Sequence, residues 1–439
     1  MGISARQAPA LDLPARFMAL SLASFAVVTL SAPWTLHMTQ GFFTDFRLLA
    51  LVHLVTLGFV GSMIVGASYQ LVPVVLQTPL ASVTAGRMSF WLYGAGLAMF
   101  LAGLFRTWLP GLAIGGSLLA LAFLLYTGTV FLTWWRAPYH EVIGWHIVLG
   151  MAGALMGMSM GVVLAFNKSS GVLGDAYLGF LGAHIVFMIG GWVTVTLLGV
   201  AYRLICMFTL SEKYFRPWLA WTELALVFVG SWGFATALHL EWPRWTGQLS
   251  LALLLAGFAC FVVQVERLYR MRMRKLVDIH MPFLVAAGVM LLAVPVLAFV
   301  GLSQEARIND PIWVTSVWLA LIGVAGTAIQ GFFYKISTFL VWLKRYAPVA
   351  GKGKAPKLEE MYDRRLALAG FVAWVTSVTG GAVCLLAEAD AMSLVGAGMA
   401  LAALCFLGNV GRIARHWVGG PRLSIREPVV SRQPHLRTR

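Results

Sequence analysis

The sequence predicts an all-α, polytopic membrane protein of about twelve transmembrane helices. Its 439 residues are 60% hydrophobic and only 11% charged, whereas a soluble domain carries about 25% charged residues. Apolar stretches of about 20 residues recur along the whole chain, and each is long enough to cross a hydrocarbon core of about 30 Å. Lys and Arg residues collect in alternate loops, which is typical of membrane topology.

The apolar stretches define twelve predicted spans. They cover residues 17–37, 47–73, 88–108, 111–134, 142–166, 177–205, 217–239, 248–266, 280–302, 312–342, 366–387 and 392–411. The first span is long and no small-residue cleavage site follows it, so we expect it to be retained rather than removed as a signal peptide.

The net charge of +15 is explained by topology and not by nucleic-acid binding. With the N-terminus inside, the outer face receives only five basic residues, and the rest face the cytoplasm. The five are Arg47, Arg106, Lys168, Arg244 and Arg307. We therefore expect a multi-pass protein of the bacterial inner membrane with both termini in the cytoplasm.

Three segments carry the densest positive charge: Arg267 to Lys275, Lys344 to Arg365, and the tail from residue 412 to 439. Each charge near an anionic membrane surface contributes about 1 kcal/mol. We expect these segments to contact anionic lipid headgroups, with a specific protein partner as the alternative.

The four cysteines have no CxxC spacing and fall inside or at the edges of predicted spans: Cys206, Cys260, Cys384 and Cys405. This pattern favours buried small hydrophobic residues over a disulfide framework or a zinc site. No P-loop, HExxH motif, nucleophile elbow or paired-cysteine haem attachment site is present either.

One motif, G-x7-G-x-x-Y-[Q/R/K]-[L/I], occurs three times. Its copies begin at Gly58, Gly191 and Gly323, and their second glycines are 133 and 132 residues apart. The full set of motif positions is Gly58, Gly66, Tyr69; Gly191, Gly199, Tyr202; and Gly323, Gly331, Tyr334.

Each interval between copies holds four predicted helices, so the three copies cross the membrane in the same direction. Parallel repeats of this kind predict three four-helix units around a pseudo-threefold axis along the membrane normal. The predicted units cover residues 1–137, 138–277 and 278–411 of a single membrane domain, and a basic cytoplasmic tail follows.

The motif has a structural interpretation. Glycines eight residues apart lie near one helix face and allow close helix approach. The tyrosine and the polar residue after it fall at the predicted cytoplasmic end, where an amphipathic ring and a snorkelling cation are favoured. Packing and interfacial anchoring would explain the motif without a catalytic role.

Three of the nine histidines lie within predicted helices, and ionisable groups at this depth are candidates for function. The other six are predicted to be interfacial or solvated: His37, His239, His140, His280, His416 and His435. His53 and His184 lie 13 and 15 residues before the second glycines of their motifs, at a similar depth in the outer half of the bilayer. Neutral imidazole ligates iron, copper or zinc, so both are candidate haem or metal ligands.

The two-residue offset rotates His184 by about 200° relative to His53. We therefore expect the two rings to face different gaps between the units and not to share one ligand. A satisfied core histidine is the alternative for each.

His146 and Glu223 complete the set of ionisable groups within the predicted spans that we single out. His146 lies near the cytoplasmic end of helix 5, where a snorkelling role and a buried role are both open. Glu223, in helix 7, is either a proton-relay group or a protonated core residue bonded to a neighbouring helix.

The segments HLVTLGFVGSMIVGASYQLVPVV, AHIVFMIGGWVTVTLLGVAYRLICMF and GTAIQGFFYKISTFLVWLKRY resemble subunit I of haem-copper oxidases and nitric-oxide reductases. They are most similar to a divergent group of small subunit-I-like proteins. The resemblance implies a low-spin haem ligand at His53 and a copper ligand at His184.

Other ligand positions of that superfamily do not match. The alignment of the motif places Ser316 and Trp318 where helix 10 of the superfamily has an H-x-H pair, and helix 7 has only His239, at its outer end. Reduction of oxygen or nitric oxide by the superfamily's mechanism is therefore not expected. A bound haem would be five-coordinate at His53 or would take an unexpected ligand such as methionine.

The sequence thus favours a haem- or metal-binding membrane protein that serves respiratory electron transfer or gas or metal handling, with haem as the expected cofactor and copper as a further possibility. A respiratory redox partner follows from this hypothesis. A cofactor-free transporter or channel and an accessory subunit on the same scaffold are the alternatives.

Overall fold

The computed structural model describes residues 11–274, 278–307, 309–349 and 355–419. Within these ranges it contains twelve helices that are long and apolar enough to cross a membrane, which confirms the predicted fold class. They are α1 Asp12–Gln40, α2 Phe46–Val75, α3 Val83–Phe105, α4 Leu109–Trp135, α5 Val142–Ser170, α6 Gly174–Thr209, α7 Pro217–His239, α8 Arg244–Arg270, α9 His280–Ser303, α10 Pro311–Arg345, α11 Arg364–Leu386 and α12 Met392–Gly419. Most extend several residues beyond the predicted spans.

The outward faces of the bundle are apolar. Large side chains such as Val27, Leu124 and Leu401 are exposed, although they lie in the middle of long helices. Lipid solvates such faces, and the helices satisfy their own backbone hydrogen bonds. The exterior therefore suits hydrocarbon, and polar side chains gather inside.

Close packing against α1, α5 and α9 explains the motif glycines of α2, α6 and α10. A Cβ atom at Gly66, Gly199 or Gly331 would lie 2.8, 2.4 or 2.7 Å from the Cβ atom of Phe17, His146 or Phe283. Atoms at such distances clash, so only glycine allows these helices to approach so closely.

The first glycines of the motif repeat this contact one step along the helices. Gly58 faces Ser24, Gly191 faces Gly153, and Gly323 faces Met290. Each of these residues lies seven positions after the one that faces the second glycine of the same motif. The pairs are Phe17 and Ser24, His146 and Gly153, and Phe283 and Met290. The three helix pairs therefore pack in the same register, as the repeat predicts.

A π-helical segment interrupts α2, α6 and α10 at equivalent positions. The segments are Leu54–Gly61, Phe187–Thr194 and Leu319–Gly326, and their starts have the same 133- and 132-residue spacing as the motif. A π turn takes more residues than an α turn, so glycines eight apart fall on one face. Such segments frequently mark functional sites.

The predicted interfacial role of the motif tyrosines is wrong. Tyr69, Tyr202 and Tyr334 are at most 2% exposed, because the first helix of each unit and its neighbours cover them. The Tyr69 hydroxyl bonds to Ser89 and the Tyr334 hydroxyl accepts from Asn409. These rings belong to the core and not to an aromatic belt.

The predicted snorkelling cation also differs between the units. Lys335 is 4% exposed and forms an ion pair with Asp278, while Arg203 is more exposed and pairs with Glu212. His280, predicted to be interfacial, is buried because Asp278 and the ring of Phe208 pack against it. In the third unit, therefore, Asp278 balances the charge of Lys335 within the protein.

The four cysteines are free; Cys206 and Cys405 are buried, as expected, whereas Cys260 and Cys384 are only partly buried. The basic tail from residue 420 onward, including His435, lies outside the described residues. The unit boundaries and the orientation in the membrane stay predictions.

Candidate functional site

A cavity of about 750 Å³ lies between helices of all three predicted units. This volume falls within the range of about 300–1,000 Å³ that is usual for small-molecule and cofactor sites. Its wall is mostly apolar, with leucine, valine and isoleucine side chains from α2, α5, α6, α9 and α10. Both His53 and His184 line it.

His53 is held in one orientation by its own helix. Its Nδ1 lies 2.8 Å from the carbonyl oxygen of Leu49, and its ring packs edge-on against Phe100. A carbonyl oxygen only accepts hydrogen bonds, so Nδ1 carries the proton. Nε2 then keeps its lone pair, which is the arrangement that histidine ligands of metals adopt.

His184 is held in the same protonation pattern by a neighbouring helix. Its Nδ1 lies 2.7 Å from the carbonyl oxygen of Gly157 on α5. Its ring also lies against Gly161, where an added Cβ atom would come within 2.8 Å of Cε1. Gly161 thus makes room for the ring and Gly157 supplies the carbonyl oxygen, and Nε2 again keeps its lone pair.

The expectation that the two histidines face separate gaps is corrected. Both rings lie on the wall of one cavity, because the cavity extends continuously between the helices of different units. The 200° offset describes how differently His53 is placed on α2 and His184 on α6. It does not separate the two rings, because the cavity is wide enough to be lined by both helices. Leu51 and Val186, which occupy the reciprocal positions of the repeat, line it too.

Ser316 and Trp318 occupy the corresponding positions of α10 and also line the cavity. The Ser316 hydroxyl donates to Ile312 in its own helix, and Trp318 donates to the carbonyl oxygen of Val378 on α11. Their polar hydrogens are therefore already used within the protein. α10 contributes shape to this cavity rather than an imidazole.

Three thioethers, those of Met158, Met188 and Met399, and a cation add chemistry to the cavity wall. Met158 and Met188 line the same cavity as His184, and Met188 lies four residues after it in α6. Lys168, at the end of α5, lines the cavity with its ammonium over the rings of Phe46 and Tyr177. Thioethers are ligands for haem iron and Cu(I).

A second polar site lies away from the cavity, between α5 and α7. His146 and Glu223 are both completely buried, and Nε2 of His146 lies 2.9 Å from Oε2 of Glu223. The Nδ1 atom of His146 lies 2.8 Å from the carbonyl oxygen of Val142. The snorkelling alternative for His146 is therefore wrong, and Glu223 does bond to a neighbouring helix.

Sequence patterns single out His146 and Glu223 separately and do not predict that they pair. A signal was available in the repeat: Glu223 lies 21 residues after Tyr202, and Phe90 lies 21 residues after Tyr69. An acid at a position that holds phenylalanine in the first unit indicates a special environment. Among the described residues, no three His, Cys, Asp or Glu side chains come together as a metal site.

Comparison with solved structures agrees with this architecture. A chain described as "Cryo-EM structure of a heme-copper terminal oxidase dimer provides insights into its catalytic mechanism" superimposes with a TM-score of 0.65. The match covers 94% of this chain and 83% of that chain, with 12% sequence identity. The fold is of the haem-copper oxidase subunit I type. No protein-family model matches the sequence, and the search of the curated proteins finds no match.

Proposed function

We propose that this chain is a haem- or metal-binding membrane protein whose cofactor occupies the cavity and is ligated by His53 and His184. The observation that carries the proposal is their shared protonation pattern. Each Nδ1 donates to a backbone carbonyl oxygen, and each Nε2 is left as an acceptor on the cavity wall. A free imidazole nitrogen at the wall of a cavity within the membrane is a candidate ligand atom for a metal or haem iron.

The cavity suits an amphipathic planar cofactor. Its apolar wall would bury a macrocycle, and Lys168 offers a cation to the carboxylates that haem carries. Met158 and Met188 supply a softer ligand type beside His184, which favours iron or copper over zinc. A bound haem iron or copper ion would supply one-electron chemistry.

We place this function in respiratory electron transfer or in gas or metal handling, and not in oxygen or nitric-oxide reduction. Ser316 and Trp318 on α10 offer no imidazole to the cavity, so the described residues give at most two histidine ligands there. The basic loops orient the chain with both termini in the cytoplasm of a bacterial cell. There they would contact anionic lipid headgroups and a redox partner.

The test is the absorbance and metal content of protein purified from membranes in detergent. We expect a Soret band that is lost in His53→Ala and is lost or shifted in His184→Ala. His140→Ala is the matched control, because His140 is exposed on the loop between α4 and α5, and it should keep the spectrum of the unmodified protein. Colourless, metal-free protein that takes up no added haem or copper contradicts the proposal and favours a cofactor-free transporter or an accessory subunit.

A further inference from the structure

The internal repeat provides three versions of one contact. In the first unit Phe17 packs edge-on against Phe90 with ring centroids 5.1 Å apart, and in the third unit Phe283 packs against Phe371 at 4.8 Å. Phe17, Phe283 and His146 are the residues that face the second motif glycines. In the second unit, therefore, the pair His146–Glu223 replaces an aromatic pair.

Packing between the first and third helices of a unit does not require ionisable side chains. Two phenylalanines fill the place between the first and third helices in two of the units, so the scaffold does not require ionisable groups there. Apolar replacement of a buried ion pair is often neutral or stabilising, whereas ionisable residues within a bilayer are costly and usually functional. Packing and stability alone therefore do not account for the His146–Glu223 pair.

The number of protons on the His146–Glu223 pair defines its possible net charges. The carbonyl oxygen of Val142 requires a hydrogen on Nδ1 of His146, so the contact between Nε2 and Oε2 holds one further proton. With that proton the pair has no net charge, whether the proton is placed on the imidazole or on the carboxyl group. Loss of the proton to water leaves a net charge of −1, and a gain gives +1.

We propose that His146 and Glu223 form a proton-binding site that exchanges with water at the membrane face where α5 and α7 begin. His146 lies four residues after the start of α5 and Glu223 six after the start of α7, which corresponds to depths of about 6 and 9 Å. Proton exchange needs no oxidant or reductant, and the site does not depend on a cofactor in the cavity.

Two further polar atoms mark a place for water at this site. The Oε1 atom of Glu223 and the hydroxyl of Tyr202 are buried and lie close to each other, and neither makes a hydrogen bond of ordinary geometry with the described residues. Buried polar atoms without protein partners normally bind ordered water. The ring of Tyr202 packs edge-on against His146 with centroids 5.8 Å apart, so a water molecule here would contact the pair.

The ionisable groups that face the pair come from two helices. Tyr202 faces it from α6 and Cys260 faces Glu223 from α8, while α5 and α7 contribute the pair itself. Neither Tyr nor Cys is ionised near neutral pH in its ordinary state. The exchangeable proton of this site is therefore the one held between His146 and Glu223.

Infrared difference spectra of the purified full-length protein between about pH 5 and pH 8 test the proposal. We expect carboxyl and imidazole bands that titrate together in the unmodified protein. Glu223→Gln should remove the carboxyl band and shift the imidazole band. The double variant His146→Phe/Glu223→Phe, which restores the aromatic pair of the other units, should remove both bands and fold at least as stably.

Identical pH-difference spectra for the unmodified protein and the double variant overturn the proposal. Failure of both Glu223→Gln and the double variant to fold also overturns it, because the pair would then be structural. Absence of a haem spectrum does not affect either result, so the proton site and the cofactor proposal fail independently.

Discussion

The cavity histidines and the buried histidine of α5 show how the same side chain is prepared for two different tasks. His53 and His184 each use one nitrogen within the protein and keep the other at a cavity wall. His146 uses both nitrogens, one for a carbonyl oxygen and one for Glu223. The number of free imidazole nitrogens therefore distinguishes a candidate ligand from a candidate proton carrier.

The two kinds of histidine also differ in how deeply they are buried. The cavity histidines are half-buried, and His146 is fully enclosed between α5, α6 and α7. An open cavity allows a ligand to enter, while an enclosed pair admits only a proton or a small molecule such as water. The substitutions below test this contrast.

Breaking the enclosed pair should have the largest effect on stability. His146→Phe leaves the Glu223 carboxyl group buried without a partner, which should cost about 3–5 kcal/mol. His53→Ala in cofactor-free protein should cost only about 1 kcal/mol, because it removes one backbone contact at a cavity wall. Unfolding in detergent measures both, and equal losses would contradict the contrast.

A paired carboxylate outside the spanning helices should show a smaller, pH-dependent effect. Burial alone would raise the pKa of Asp278, but the hydrogen bond and charge of Lys335, together with Arg274, hold that pKa below its usual range. A depressed pKa stabilises the fold above the unfolded value of about 3.9 and loses this contribution as the pH falls through the folded value.

We therefore expect Asp278→Asn to lower stability by about 2 kcal/mol at neutral pH, with the difference disappearing in acid. Asp12→Asn is the control, because the ion pair of Asp12 with Arg87 is partly exposed, unlike the buried pair of Asp278, and should contribute at most about 1 kcal/mol. Unfolding curves at several pH values measure both variants. A loss for Asp278→Asn that persists in acid would mean that the pair is not the cause.

Two glycines of different helices should respond differently to an added methyl group. In Gly199→Ala the new Cβ atom meets the Cβ atom of His146 at 2.4 Å. Helices α5 and α6 must then separate, which should lower the free energy of unfolding by about 1–3 kcal/mol. In Gly161→Ala it meets Cε1 of His184 at 2.8 Å, and the ring can turn into the cavity, at a cost of about 1 kcal/mol. Thermal unfolding compares them; a larger loss for Gly161→Ala would indicate that His184 is as tightly enclosed as His146.

The sequence predicts the scaffold well and the polar contacts poorly. Hydropathy locates all twelve helices, and the motif glycines identify the helix contacts, because length and small residues are local properties of the chain. The pairing of His146 with Glu223 depends on two helices 77 residues apart, and neither periodicity nor charge specifies which faces meet.

The motif tyrosines illustrate a different limit. Their position near the helix ends suggests an interface, yet Tyr69 and Tyr202 are not exposed at all. Neighbouring helices and loops cover them, and burial by distant segments is not visible in a single span. The cavity cannot be predicted from a single span for the same reason, because residues from many helices form its wall.

The most direct test of the central claim is haem titration of cofactor-free protein, followed by optical absorbance. The unmodified protein and the double variant His146→Phe/Glu223→Phe should bind haem alike, because that pair lies outside the cavity. The double variant His53→Ala/His184→Ala should show no specific binding. Unchanged binding without the cavity histidines, or no binding by any of the three proteins, would contradict the assignment of the cavity as the cofactor site.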